Sequence, residues 1–181
     1  MENKPAYPFE SPYRIGASHG LWMGLGLSVL FLTSAFAAVS QIAGLLSLLI
    51  MAAVPAGLFI SLRSTYVKQQ GMSTFSALWM QGIMVMGCGT LIASAVAVVY
   101  LKWIDPGWLM RQVEAMIATY SAIEGGEWVV NALNEMVEYH LLPTVGQMVA
   151  QMLWLMLFTG SILSLILTAI VRMRKINQNP K

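Results

Sequence analysis

Two histidines, eight carboxylates and one cysteine hold most of the acid–base and metal-binding capacity of this 181-residue chain. Only one short stretch brings histidine and carboxylate together, at Glu135, Glu138 and His140. A metal site is the chemistry such a group would serve, but zinc generally takes three or four convergent ligands. Helical spacing instead puts His140 on an apolar face with Val129, Leu133, Met136 and Val137, and Glu138 half a turn away. Glu124 and Glu127 flank the pair Gly125-Gly126 and would suit general acid–base work, yet a solvated turn explains them as well. His19 follows Arg14 closely and could touch a headgroup phosphate. The plainer reading is an interfacial side chain reaching for water. Cys88 lies in an apolar run, where free cysteine is ordinarily a small buried group.

The motifs of nucleotide and zinc-protease sites, G-x-x-x-x-G-K-[ST] and H-E-x-x-H, do not occur. Gln81, Gln147 and Gln151 fall near the ends of apolar segments, and Thr33, Ser34, Thr90 and Ser94 can bond to their own helix backbone. No catalytic residue, cofactor or metal ligand is therefore assigned, and the chain is not read as an enzyme.

The elements that would position these residues are set by hydropathy. Hydrophobic residues make up 57% of the chain and charged ones 10%, against about 25% charged in ordinary soluble domains. A net charge of +2 gives no electrostatic footprint for nucleic acid. Crossing the hydrocarbon core takes about 20 apolar residues, and Leu21 to Leu62 holds no charged residue. That run must fold as two helices with a turn near Ser40-Gln41. Spans are expected over about 17–39, 42–62, 75–101 and 146–171, with Arg63 to Gly71 as a loop. Residues 1–16 read as a cytoplasmic arm and 172–181 as a basic cytoplasmic tail. The proline-rich start does not read as a cleavable signal peptide, and Glu2 stands where myristoylation needs glycine.

Lysine and arginine placement near span ends gives orientation. Lys4 and Arg14, Arg63 and Lys68, and Arg172, Arg174, Lys175 and Lys181 fall on one side. The other side has Lys102 and Arg111 with Asp105, Glu114, Glu124, Glu127, Glu135 and Glu138. Both termini are expected in the cytoplasm, and the protein in a bacterial inner membrane.

In lipid, helices associate through small residues that let backbones approach. Rows at fourfold spacing are Gly16, Gly20, Gly24 and Ser28; Ala53, Gly57 and Ser61; Gly89, Ala93 and Ala97; and Gly160, Ser164 and Thr168. Internal packing is the preferred reading, with the Gly16 row the best candidate for contact with another protein or a second copy. Pro55 is expected to kink the second span. Between spans three and four, residues 102–145 contain two amphipathic stretches broken at Gly125-Gly126, with Asp105 capping the first and Pro106 at its first position. Trp103, Trp108 and Trp128 suit a membrane surface. The fold class expected is an all-α integral membrane protein: four transmembrane helices, a kinked second one, and two short amphipathic helices in the extracytoplasmic loop.

Two stretches carry a resemblance. The segment Gly71-Met72-Ser73-Thr74-Phe75-Ser76-Ala77-Leu78 with Gly82 after it, and Tyr100-Leu101-Lys102-Trp103-Ile104-Asp105-Pro106, resemble a family of small four-span bacterial membrane proteins of unknown function, the 4199 family, common in Bacteroidota. The resemblance covers nearly the whole chain in layout and implies the same topology. It carries no catalytic residues. Read physically, Ser73 or Thr74 caps the third helix and Gly71 permits the turn.

Three functions follow in order of preference. The first is a non-enzymatic scaffold or accessory subunit, for example of a membrane enzyme of envelope glycan or lipid assembly such as a polyprenyl-phosphate glycosyltransferase. The second is an oligomeric transporter or channel for a lipid or neutral solute. An enzyme using Glu124, Glu127 or His140 at the outer surface comes last. Ionisable groups within the bilayer are costly and kept for function, and none lies deep in the four spans. Partners are expected to be membrane lipids and another membrane protein or a second copy, with no nucleic acid.

Overall fold

The computed structural model describes residues 11–37 and 40–173, and every regular element among them is helical. The arm before Ser11, the end of the first expected span at Val39, and the tail from Arg174 lie outside the described residues. The helices are α1 (Pro12–Ala35), α2 (Gln41–Lys68), α3 (Phe75–Val99), α4 (Trp108–Ser121), α5 (Glu127–Glu138) and α6 (Val145–Met173), with a π-helical turn at Tyr100–Ile104 continuing α3. Four of them, α1, α2, α3 with its π-turn, and α6, are long and apolar enough to cross a membrane.

Local chemistry explains most boundaries. Pro12 occupies the first turn of α1, where its missing N–H costs nothing, so the helix starts well before Ala17. Ser40 is extended at the N-cap position of α2, as expected of the turn at Ser40-Gln41. The segment from Arg63, expected as a loop, is instead helical to Lys68. Charge marks the edge of the apolar region, but no glycine or proline stops the helix there. Leu62 and Thr65 stay buried, and the Arg63 guanidinium donates to the carbonyl of Val171 on α6 at 3.3 Å.

Gln70 at φ 51° and Gly71 at φ 80° then close α2. The Gly71 amide donates to Tyr66 O at 2.9 Å and the Gln70 amide to Val67 O at 3.0 Å, the paired bonds of a Schellman turn. Thr74 caps α3, its hydroxyl accepting from the Ala77 amide at 3.2 Å. A reciprocal cap starts α6: Gln147 Oε1 accepts from the Thr144 amide at 2.9 Å, and the Gln147 amide donates to Thr144 Oγ1 at 3.3 Å.

The chain divides into two compact units, one from the described residues of Met1–Ser94 and Leu153–Lys181, the other Ala95–Met152. In the first, Leu58, Leu62, Leu78, Val85, Met86 and Val171 form the buried core, with Met23 of α1 against it. The apolar side chains of Leu25, Leu45, Leu49, Ile60, Phe158 and Ile170 are exposed around it, as lipid-facing residues should be. Among the four spans α3 is the most buried and α2 the least. Helix α2 runs unbroken through Pro55, whose missing N–H leaves the Met51 carbonyl without its helical donor.

In the second unit, Asp105 does not cap α4. Gly107 takes the N-cap position with no side-chain bond. The Asp105 carboxylate is engaged by Arg111 one turn into the helix, and the Tyr100 hydroxyl approaches it at 3.5 Å. Pro106 lies in the turn before α4 rather than at its first position. Gly125 at φ 84° makes the turn between α4 and α5.

Candidate functional site

The small-residue rows settle which helices meet. Gly16, Gly20 and Gly24 are buried against α3: a Cβ added at each would fall 2.6, 2.7 and 2.8 Å from Met84, Cys88 and Ile92 respectively. Ser28, next in the row, is buried and donates to Gly24 O at 2.7 Å. A second side of α3 receives α6, where Gly82 meets Ser164 and Gly160 meets Met86. The chain's own third helix thus fills the Gly16 row, expected as the best external interface. Gly57 differs, being exposed with only the tip of Met23 nearby.

Where α1, α2 and α3 converge, four polar side chains join. His19 Nδ1 is 2.5 Å from Ser61 Oγ. Gln81, 1% exposed, donates from Nε2 to Thr65 Oγ1 at 2.9 Å and lies 3.5 Å from Ser61 Oγ. Thr65 Oγ1 in turn donates to Ser61 O at 3.2 Å. His19 is bonded across helices through Nδ1, and Gln81, in the second turn of α3 and so near its end as expected, is buried in the bundle. Sequence reasoning missed this cluster because its members lie on three separate helices. The one signal available was that Ser61 and Thr65 share a face of α2 with four-residue spacing, opposite an α3 otherwise apolar around Gln81.

The cluster touches two cavities. His19 and Ser61 line a groove of about 380 Å³ between α1 and α2, completed by Trp22, Met23, Gly57 and Ser64. Thr65 and Gln81 line a second space of about 480 Å³ with Gln69, Ser73 and Thr74. A third, of about 490 Å³, is apolar and borders Pro55 and Met86.

A serine beside a histidine invites comparison with a nucleophile and its base, which need a third group to orient the ring and donors for an oxyanion. Ser61 lies inside α2, where backbone amides are already bonded within the helix. The described part of this unit holds no carboxylate to orient His19. Among the described residues the pair forms a hydrogen-bonding centre between α1 and α2.

Of the other residues singled out, Thr33, Ser34 and Thr90 bond to their own helix, while buried Ser94 has no partner among the described residues. His140 is not on the apolar face of α5. It follows the helix at φ 53°, exposed, in a second Schellman turn in which the Leu141 amide donates to Met136 O at 2.9 Å. Glu124 and Glu127 are exposed around the α4–α5 turn. Among the described residues no group of three or more His, Cys, Asp or Glu side chains is arranged to hold a metal. Arg111 is held more firmly protonated by its bond to Asp105.

Four long apolar helices in an all-helical chain define a small multi-pass membrane protein. The family model described as "Protein of unknown function (DUF4199)" matches residues 18–173, and the chain belongs to that family. No curated protein and no solved structure matches it.

Proposed function

We propose that the protein is a non-enzymatic scaffold or accessory subunit of a bacterial inner membrane. In this reading the N-terminus, the α2–α3 turn and the C-terminus are cytoplasmic, and α4 and α5 lie outside. Support for the orientation comes from Arg14, Arg63, Lys68 and Arg172 at one set of span ends, and from six carboxylates between α3 and α6.

One observation carries the functional part. Helix α5 contains no fully buried residue: Val129, Leu133, Met136 and Val137 on its apolar face are only half-buried, with α4 packed against the helix, and Trp128 is 74% exposed. Such a half-covered face leaves apolar surface for a partner. Its polar side presents Glu127, Glu135 and Glu138, all exposed, and carboxylates disfavour an anionic bilayer surface, which recruits basic helices. Another protein suits this face better than lipid. By analogy with other small multi-span subunits, the partner is a membrane enzyme of envelope glycan or lipid assembly, such as a polyprenyl-phosphate glycosyltransferase.

The test is purification from native membranes in mild detergent, with mass spectrometry of what co-elutes. A stoichiometric membrane protein that is lost on Leu133→Glu is the expected result. A chain that elutes alone, and whose deletion leaves envelope chemistry unchanged, would contradict the proposal.

A further inference from the structure

The groove between α1 and α2 has a polar end and an apolar end. Along α2 its wall runs Ile50, Ala53, Gly57, Ser61 and Ser64, residues three or four apart and so on one helix face. One turn beyond Ser64 on that face stands Lys68, exposed, about 6 Å further along the axis. The other wall is His19, Trp22, Met23 and Gly26 of α1. Trp22, Ala53, Gly57 and Ile60 are exposed, so the groove opens sideways to the surrounding hydrocarbon.

The hydrogen bonds fix what the polar end offers. His19 Nδ1 and the Ser61 hydroxyl share one hydrogen bond, with Gln81 Nε2 3.5 Å from the same hydroxyl. The other ring nitrogen, Nε2, has no protein partner among the described residues and belongs to a side chain lining the groove; in the tautomer in which Nδ1 accepts from Ser61 it presents an N–H there. The Ser64 hydroxyl is likewise without a partner among them and lines the same space. The polar end thus offers a ring nitrogen of His19 and the Ser64 hydroxyl, with the exposed ammonium of Lys68 one turn beyond on the same helix face.

We propose that this groove binds one anionic phospholipid, with an acyl chain along Ile50, Ala53 and Gly57 and the phosphate at His19 Nε2, Ser64 and Lys68. A volume of about 380 Å³ falls within the range of about 300–1,000 Å³ typical of small-molecule sites.

The experiment is native mass spectrometry of the full chain after exchange into phosphatidylglycerol or phosphatidylcholine of identical acyl chains. One phosphatidylglycerol should stay bound at collision energies that strip phosphatidylcholine. Gly57→Leu, which fills the groove with only Met23 Cε nearby at 3.7 Å, should lower occupancy at least tenfold. Ala56→Leu, exposed and outside the groove, should leave it unchanged. Lys68→Gln alters an exposed side chain and should cut the preference for phosphatidylglycerol about fivefold without changing the thermal midpoint. Equal retention of the two lipids, full occupancy in Gly57→Leu, or an unchanged preference in Lys68→Gln would each overturn the proposal.

Discussion

Gly20 on α1 faces Cys88 on α3 so closely that a methyl group on Gly20 would lie 2.7 Å from Cys88 Cβ and 3.1 Å from the Val85 carbonyl oxygen. Both obstacles belong to the neighbouring helix, and one is backbone, so the helices must separate to admit any side chain. Gly20→Ala should cost roughly 1–3 kcal/mol, the usual range for overpacking, measured by reversible unfolding in mixed micelles. Gly26 is the control. Nothing lies within 4 Å of its Cβ position, so Gly26→Ala should be neutral or slightly stabilising, as alanine is the better helix former.

Gln81 and Thr65 should be coupled. Interhelical hydrogen bonds in membranes average about 0.6 kcal/mol and reach about 1.7, and this one at 2.9 Å is fully buried. A double-mutant cycle of Gln81→Leu and Thr65→Val should return a coupling in the upper half of that range. A coupling of zero would mean that the two side chains stabilise the bundle independently.

Gly126 allows the α4–α5 turn for a reason distinct from Gly125. A Cβ there would fall 2.1 Å from the Tyr120 carbonyl oxygen, which is backbone and cannot step aside. Gly126→Ala should open the turn, and hydrogen exchange at the amides of Ile123 and Val130 should rise at least tenfold. Gly125→Ala suffers only its φ of 84° and should cost about 1–2 kcal/mol.

Two helices end with a side chain where glycine is favoured. Gln70 and His140 both hold left-handed φ angles, of 51° and 53°, inside Schellman turns. Replacing either by glycine removes the Cβ strain and should stabilise by up to about 1 kcal/mol. Denaturation midpoints of Gln70→Gly and His140→Gly, singly and together, provide the check, and the two gains should add because the sites share no partner.

The bilayer dominates what the sequence reveals here. An uncharged run from Leu21 to Leu62 can only be two spans, and the turn falls at Ser40 because nothing else there is as polar. Thr74 and the Thr144–Gln147 pair carry cap signatures in their own residues. Charge proved a poor guide to where a helix stops. Arg63 and Lys68 leave the hydrocarbon without leaving α2, since their backbone bonds are as good in water as in lipid. Asp105 misled for a related reason: an aspartate before proline can cap a helix or accept from an arginine six residues on, and Arg111 takes it. The polar cluster was least visible. Residue spacing tells which side chains share a face but not which helix that face meets, and His19 meets Ser61 across 42 residues of sequence.

The proposal that this protein serves another membrane protein is tested most directly at α5. A photo-reactive amino acid placed at Leu133, on the apolar face, should give one discrete crosslink to a second membrane protein in native membranes, and the same probe at exposed Glu135 should not. Crosslinks only to lipid at Leu133, or equal products at both positions, would contradict it.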